Sequence, residues 1–108
     1  SPIIAIRSVG GAVSEISESA TAYAYRQAEL MFVTTTIGPP PVIEATRPAR
    51  EQLWATLAPH VYGAYANFLS DADVTGVYPA GTYERLARIK RQYDPENVFA
   101  ANHNVRPA

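Results

Sequence analysis

The residues best placed to do chemistry are Tyr65 and Asn67, inside "YGAYANFLSD" at positions 62–71. In an extended chain, residues two apart point the same way. Val61, Gly63, Tyr65 and Asn67 would then share one face, with Tyr62, Ala64, Ala66 and Phe68 on the other. The second face is apolar and is expected to pack on helices. The first carries a phenol, an amide and a missing side chain, which leaves room for something flat to approach. By spacing alone, a Tyr and an Asn satisfied within the fold is the simpler account. The same period puts Tyr23, Tyr25 and Gln27 together in "TAYAYRQAELMFVTT". These two tyrosines stay open between sheet packing and lining a substrate pocket.

The elements that must position these groups can be read outward from them. "PIIAIRSV" (Pro2–Val9) reads as a buried strand, followed by a Gly10-Gly11 turn. "AVSEISESA" reads as a short strand edge with a loop. Thr21–Thr35 reads as a long strand, with a helix as the rival for "RQAELMF". Ile37–Pro48 is a proline-rich connector, because consecutive prolines cannot donate to a central sheet. A helix is expected from Pro48 to Ala58, with Thr46 as its candidate cap and Leu53, Trp54, Leu57 and Ala58 on one side. "HVYGAYANFL" reads as a strand and "SDADVTGVYPAG" as a loop. "TYERLARIKRQY" is the clearest helix, with Tyr83, Leu86, Ala87 and Tyr93 on one side, Ile89 bordering it and Lys90 within it. It ends near Tyr93, before Pro95, and "DPEN" fits a type I turn. The order β-β-α-β-α implies an α+β fold, an antiparallel sheet with helices packed on one face.

Composition narrows the function classes. The chain has 108 residues, 47% of them apolar, which suits one domain with a real core. Nine basic residues against ten acidic give a net charge of -1, favouring neither nucleic acid nor an anionic membrane. Its apolar runs are too short to span a bilayer, and the first residues lack the pattern of a signal peptide, so a soluble, cytoplasmic protein is favoured. The start at Ser1, almost at once in a strand-like run, reads as a cut from something longer. With no Cys and only two His there is no disulfide framework, thiolate nucleophile or His- or Cys-based metal site; no metal is expected.

The C-terminal third then supplies a specific pattern. "YANFLSD", followed by "TYERLARIKRQYDPENVFAANHNVRP", resembles the end of the berberine-bridge-enzyme-like FAD-linked oxidases, which share the vanillyl-alcohol oxidase fold. The resemblance rests on Tyr65 and Asn67; on Tyr83, Arg85, Leu86, Ile89, Lys90, Tyr93, Asp94, Pro95, Asn97 and Phe99; and on Asn102 and Asn104. Upstream, "VGGAVSEISESATAYAYRQAE" is similar to that family's Gly-Gly stretch and its Thr-Ala-aromatic-x-His-Arg segment. The match is weakest through the proline-rich connector.

The resemblance implies a division of labour. Residues 1–68 would be part of a substrate domain built on a large antiparallel sheet. Residues 69–108 would be a C-terminal helix and tail returning towards an FAD-binding domain of the same polypeptide. Tyr65 would be the catalytic base on a substrate hydroxyl, with Asn67 and Asn104 as cofactor contacts and Tyr23 and Tyr25 lining the substrate pocket. The substrate would be an alcohol, a sugar or a related small molecule, with hydride passing to FAD and on to dioxygen or another acceptor. A phenol has a reference pKa near 10 and needs a nearby donor or charge to act as a base at neutral pH. Tyr25 stands where many members carry His, so a role given to that His does not carry over. The family's Gly-rich pyrophosphate loop and covalent flavin anchor lie outside these residues, and "SVGGA" is too short to be that loop. The chain alone is therefore expected neither to hold FAD tightly nor to turn over substrate.

Plainer readings accompany the rest. Lys90 is expected to snorkel, Arg85, Arg88 and Arg91 to form a solvated face, and Trp54 to anchor the core. His103 is expected to be exposed, and Asp94–Asn97 to be a turn and not a carboxylate site. A free-standing α+β ligand-binding or dimerisation module is the rival from another class, with homo-oligomerisation open in either case.

Overall fold

A computed structural model of the chain describes residues 2–70 and 72–108. Branched residues dominate "PIIAIRS" and "LMFVTTT", and these form β1 (Pro2–Ser8) and β2 (Leu30–Thr36). The two pair antiparallel, from Pro2 opposite Thr36 to Ser8 opposite Leu30. Val9 N–H to Glu29 C=O, 3.0 Å, extends the ladder by one step.

The helix α1 spans Pro40–Leu57, eight residues earlier than the sequence suggests. The first N–H groups of a helix have no intrahelical acceptor, so prolines at its first two positions cost nothing there. Pro48 therefore lies inside the helix and not at its start. Thr46 is no cap either: its hydroxyl donates to Ile43 C=O at 2.9 Å and reaches Thr36 Oγ1 at 3.4 Å. Alternation along β2 turns Phe32, Thr34 and Thr36 to α1. Trp54 meets Phe32 edge-on, 6.1 Å between centroids, and donates Nε1–H to Thr34 Oγ1 at 3.1 Å. That makes Trp54 the anchor between helix and sheet, as expected.

The opposite face of the ribbon carries Met31 and, across from it, Arg7. Pleating alone thus separates a helix-packed side from the side that faces the tyrosines. The architecture is a small α+β fold. The strand expected at 60–69 is absent. Residues 61–65 have no regular assignment, tied by Ala64 N–H to Gly76 C=O at 2.7 Å, and are flanked by single 3-10 turns at Ala58–His60 and Ala66–Phe68. Residues 14–29 form turns and bends and not strand, after a 3-10 turn at Gly11–Val13 where Gly11 takes a left-handed φ of 66°.

The helix α2 (Ala80–Tyr93) packs on the 18–24 segment and on the tail. Arg85 donates to Ser19 C=O at 2.7 Å, and Ala108 N–H to Ala87 C=O at 3.2 Å. Arg85 and Arg91, which bonds Ala108 C=O, are therefore tethered and not simply solvated. Ala87 is buried, but Tyr93 is 76% exposed, past the last contact of the apolar side. The Asp94–Asn97 turn forms, with Asn97 N–H on Asp94 C=O at 3.1 Å. Its carboxylate is no bystander: it is buried, accepts Val98 N–H at 2.8 Å and Phe99 N–H at 3.1 Å, and pairs with Lys90. Lys90 does not snorkel; it also donates to Phe99 C=O at 2.7 Å, fixing the tail to α2. The Lys90 hydrogen bond, helped by the two backbone donors, holds the Asp94 carboxyl below its ordinary value.

Much apolar surface stays open. β1 is a strand but not a buried one: Ile4 and Ile6 share the α1 side yet are 57% and 62% exposed, because the helix lies over β2. The accessible surface is 7807 Å². A compact monomer of this 11.7 kDa mass exposes about 5,900 Å². The radius of gyration, 16.3 Å, likewise exceeds the roughly 13 Å of a compact chain this long.

Candidate active site

Tyr65 and Asn67 do come together, though not as strand neighbours. Tyr65 is extended (φ -113°, ψ 116°) and the 3-10 turn that follows folds Asn67 back over it. Asn67 Nδ2–H donates to Tyr65 Oη at 2.8 Å. The phenol is 40% exposed, so neighbours and not burial hold it. Tyr23 stands edge-on at 5.8 Å between centroids and 79°; Phe68 is tilted at 5.8 Å and 52°. Phe68 does not pack on a helix as expected, since the turn swings it under the Arg7 guanidinium, 5.2 Å from its centroid.

Tyr23, Tyr25, Tyr62, Gly63 and Tyr65 line one cleft of about 270 Å³, with Met31 of β2 contributing from the sheet side. Both tyrosines line this cleft, and each packs edge-on against another tyrosine. The space beside Gly63 is already taken. A Cβ on Gly63 would lie 2.4 Å from Cγ and Cδ2 of Tyr25, so the flat group against that glycine is the Tyr25 ring. Tyr25 in turn meets Tyr62 edge-on, 5.5 Å between centroids. Tyr62 was expected to face the helices; it is 56% exposed at the cleft instead, because the segment is not pleated. Burial raises the Tyr25 phenol above its ordinary value. Burial first, then the nearby Glu18 charge, raises that of Tyr62. Their phenol hydroxyls can each donate and accept a hydrogen bond at the cleft.

Asn67 also borders a second cleft, about 470 Å³, shared with Ser70, Asn102 and His103. Asn67 is not in the lining of the tyrosine cleft and meets it through its bond to Tyr65. His103 is half-buried and not exposed, and its Nε2 is covered without a hydrogen-bond partner. Asn104 lies apart from both clefts' linings; its Oδ1 is likewise covered and unpaired. Among the described residues, no three His, Asp or Glu side chains converge as metal ligands, and no helix is long and apolar enough to cross a membrane.

Comparison with known proteins bears on this arrangement directly. The berberine and berberine-like family is matched over residues 64–106, from the Tyr65 turn through α2 to the Asn-rich tail. Residues 64–106 thus carry the berberine-like segment of the berberine-bridge-enzyme-like FAD-linked oxidases. The chain is 30% identical over 106 residues to the uncharacterized FAD-linked oxidoreductase YgaK of Bacillus subtilis, covering 94% of the chain and 23% of that relative. To the chitooligosaccharide oxidase of Gibberella zeae it is 26% identical over 106 residues, 89% of the chain and 22% of the relative. A shorter stretch of 34 residues is 53% identical to (R)-6-hydroxynicotine oxidase of Paenarthrobacter nicotinovorans, 32% of the chain and 7% of that enzyme. The chain therefore spans about a quarter, 22–24%, of the length of the relatives that it matches along most of its own length.

The relatives named as FAD-linked oxidoreductases imply FAD in the family. A pyrophosphate is held by a helix N-terminus or a nest of backbone N–H groups. α1 opens on Pro39, Pro40 and Pro41, which have no N–H to offer. The Tyr65–Asn67 pair offers polar groups at the cleft, while Asn104 Oδ1 is covered and lies outside both clefts' linings.

Proposed function

We propose that this chain carries the proton-accepting side of the active site of an FAD-dependent oxidoreductase. The observation that carries the reading is the Asn67 Nδ2–H···Oη Tyr65 hydrogen bond, 2.8 Å, at the rim of a tyrosine-lined cleft. Oxidising an alcohol carbon removes a proton from oxygen and a hydride from carbon. Tyr65 in its phenolate form takes the proton at Oη and becomes the neutral phenol. An N–H aimed at that oxygen is the preorganised donor that negative charge there requires. FAD, when bound, supplies the hydride acceptor and passes the electrons to dioxygen or another acceptor. Tyr23, Tyr25 and Tyr62 orient the substrate through ring faces and hydroxyls and shield the proton transfer from water. Such walls suit an alcohol, a sugar or a related polyhydroxylated molecule. Asn67 and Asn104 contact the flavin at its ring.

The remaining polypeptide completes the site. Residues 1–68 extend a larger sheet of the substrate domain, and residues 69–108 return to the FAD-binding domain. The open apolar surface of Ile4, Ile6 and Leu30 supports that division. Alone, the chain neither retains flavin nor oxidises substrate.

The test is anaerobic mixing of the intact enzyme with sugars, oligosaccharides and arylcarbinols while the yellow flavin bleaches. Tyr65→Phe keeps the ring and the bound flavin but loses the proton acceptor, and the bleaching rate falls about 100-fold or more. Bleaching at the wild-type rate removes Tyr65 from the chemistry.

A further inference from the structure

The contacts around Tyr65 continue on both sides and form a row. The Arg26 guanidinium lies over the Tyr23 ring, 5.5 Å from its centroid. Tyr23 stands edge-on to Tyr65 at 5.8 Å, and Tyr65 meets Phe68 at 5.8 Å. The Arg7 guanidinium lies over Phe68 at 5.2 Å. Three aromatic rings are thus closed at each end by a cation, with Tyr65 in the middle. We propose that this row is the device that positions Tyr65, and that Arg26 and Arg7 are positioning residues acting on it through Tyr23 and Phe68. The proposal rests on the role given to Tyr65 above.

The two ends are built differently. Arg26 is half-buried and forked: Nη2 donates to Thr21 Oγ1 at 2.7 Å and Nη1 to Val13 C=O at 3.4 Å, so two loop segments pin the cation. Lys could not make both bonds in that plane. Its Nε is covered and has no partner, a cost the site bears to keep the guanidinium where it is. The backbone of Arg7 is fixed by its strand, opposite Met31, and its exposed side chain reaches over Phe68. Cations attract ring faces, and T-shaped rings hold each other's tilt, so each contact restricts the next. An exposed tyrosine has no close-packed surroundings to do this. Asn67 fixes the oxygen, while the row fixes the ring plane.

The experiment places 3-fluorotyrosine at position 65 of the intact flavoprotein and records its fluorine resonance. No substrate is needed. Arg26→Met and Arg7→Met each shift and broaden the line, and Arg26→Lys does so less. Arg88→Met, on the far side of α2, leaves it unchanged. Arg26→Met adds nothing once Tyr23 is Ala, because the effect passes through that ring. A wild-type line in both Met variants overturns the proposal, and so does an equal effect of Arg26→Met with and without Tyr23. If one Met variant fails to fold, the other end of the row decides. A second measurement uses cellobiose or benzyl alcohol, whichever bleaches the wild-type flavin. Arg26→Met lowers that rate about tenfold, with the half-saturating concentration nearly unchanged, since misplacing a reacting group by an ångström costs up to about 100-fold. Fluorine changes with normal bleaching in Tyr65→Phe would sink the proton-acceptor role and leave the row standing. An unchanged line with slow bleaching in Tyr65→Phe would do the reverse.

Discussion

Gly63 offers a sharp test, because the sign of one substitution depends on a second residue. An added Cβ would lie 2.4 Å from Tyr25 Cγ and Cδ2 and 2.5 Å from Cδ1. Ordinary carbon contacts begin near 3.5 Å, so the ring must move by about 1 Å. The clashing atoms are at the root of the ring, one of them bonded to Cβ, so no small swing of the ring relieves them. Tyr25 is also held edge-on by Tyr62 at 5.5 Å. Overpacking of this kind costs roughly 1–3 kcal/mol. Set against it, Gly63 has no left-handed φ, and Ala at a compatible glycine gains about 0.4–1 kcal/mol by narrowing the unfolded ensemble. Gly63→Ala should therefore destabilise the wild type by up to about 2.6 kcal/mol. In a Tyr25→Ala background the clash is gone and only the gain of about 0.4–1 kcal/mol remains. The assay is thermal melting of the intact protein with the four combinations of the two substitutions. Melting temperature should fall in the first background and rise in the second. The same sign in both would refute the account of what fills the space beside Gly63.

Three further outcomes follow from other contacts. Trp54→Phe keeps the ring contact with Phe32 but loses the hydrogen bond to Thr34, which should cost about 0.5–1.5 kcal/mol in urea unfolding; no loss would mean that the Nε1–H finds water instead. Asp94 has a depressed carboxyl in the folded state, so its stabilisation is present above the ordinary carboxylate value of about 4 and is lost as pH falls below it. Melting of Asp94→Asn and wild type should accordingly differ most near neutral pH and converge towards pH 2–3; a gap that widens on acidification would contradict the assignment. Asn67→Ala should slow flavin reduction about tenfold or more while leaving Tyr65 in its row, so that the fluorine line of a labelled Tyr65 moves little.

The Tyr65–Asn67 relationship was legible in the sequence, and its geometry was not. Alternation in "HVYGAYANFL" looks like a strand because small and aromatic residues alternate there. Among the described residues no second strand pairs with it; Ala64 N–H to Gly76 C=O ties it to the following loop. Asn67 comes back to Tyr65 through a turn, and two residues along a turn can meet more closely than two along a strand. The gap beside Gly63 was also legible, but its occupant was not, because Tyr25 lies 38 positions upstream in a segment read as strand. The prolines misled in the other direction. Pro40 and Pro41 cannot donate to a central sheet, so the sequence reads as a connector with the helix starting at Pro48, although first-turn positions suit prolines. Asp94 and Lys90 were each read alone, as turn residue and snorkelling stem. Their pairing at i, i+4, with the tail's N–H groups brought back to the carboxylate, needed the third dimension.

The amount of open surface discriminates between the two ways of completing this molecule. The chain exposes 7807 Å², about 1,900 Å² more than a compact monomer of its mass. A standard two-protein interface covers only about 800 Å² on each partner. One dimer contact of that size would leave more than half of the excess exposed, including one side of an open two-stranded ribbon. Enclosure on several sides would cover it, as in the arrangement with a larger polypeptide proposed above. Separately expressed, the 108 residues should therefore bind a hydrophobic dye such as ANS strongly and self-associate without a fixed stoichiometry. A monodisperse monomer or dimer without dye binding would refute the argument, since it would show that the exposed isoleucines and tyrosines find partners within the chain or its copy.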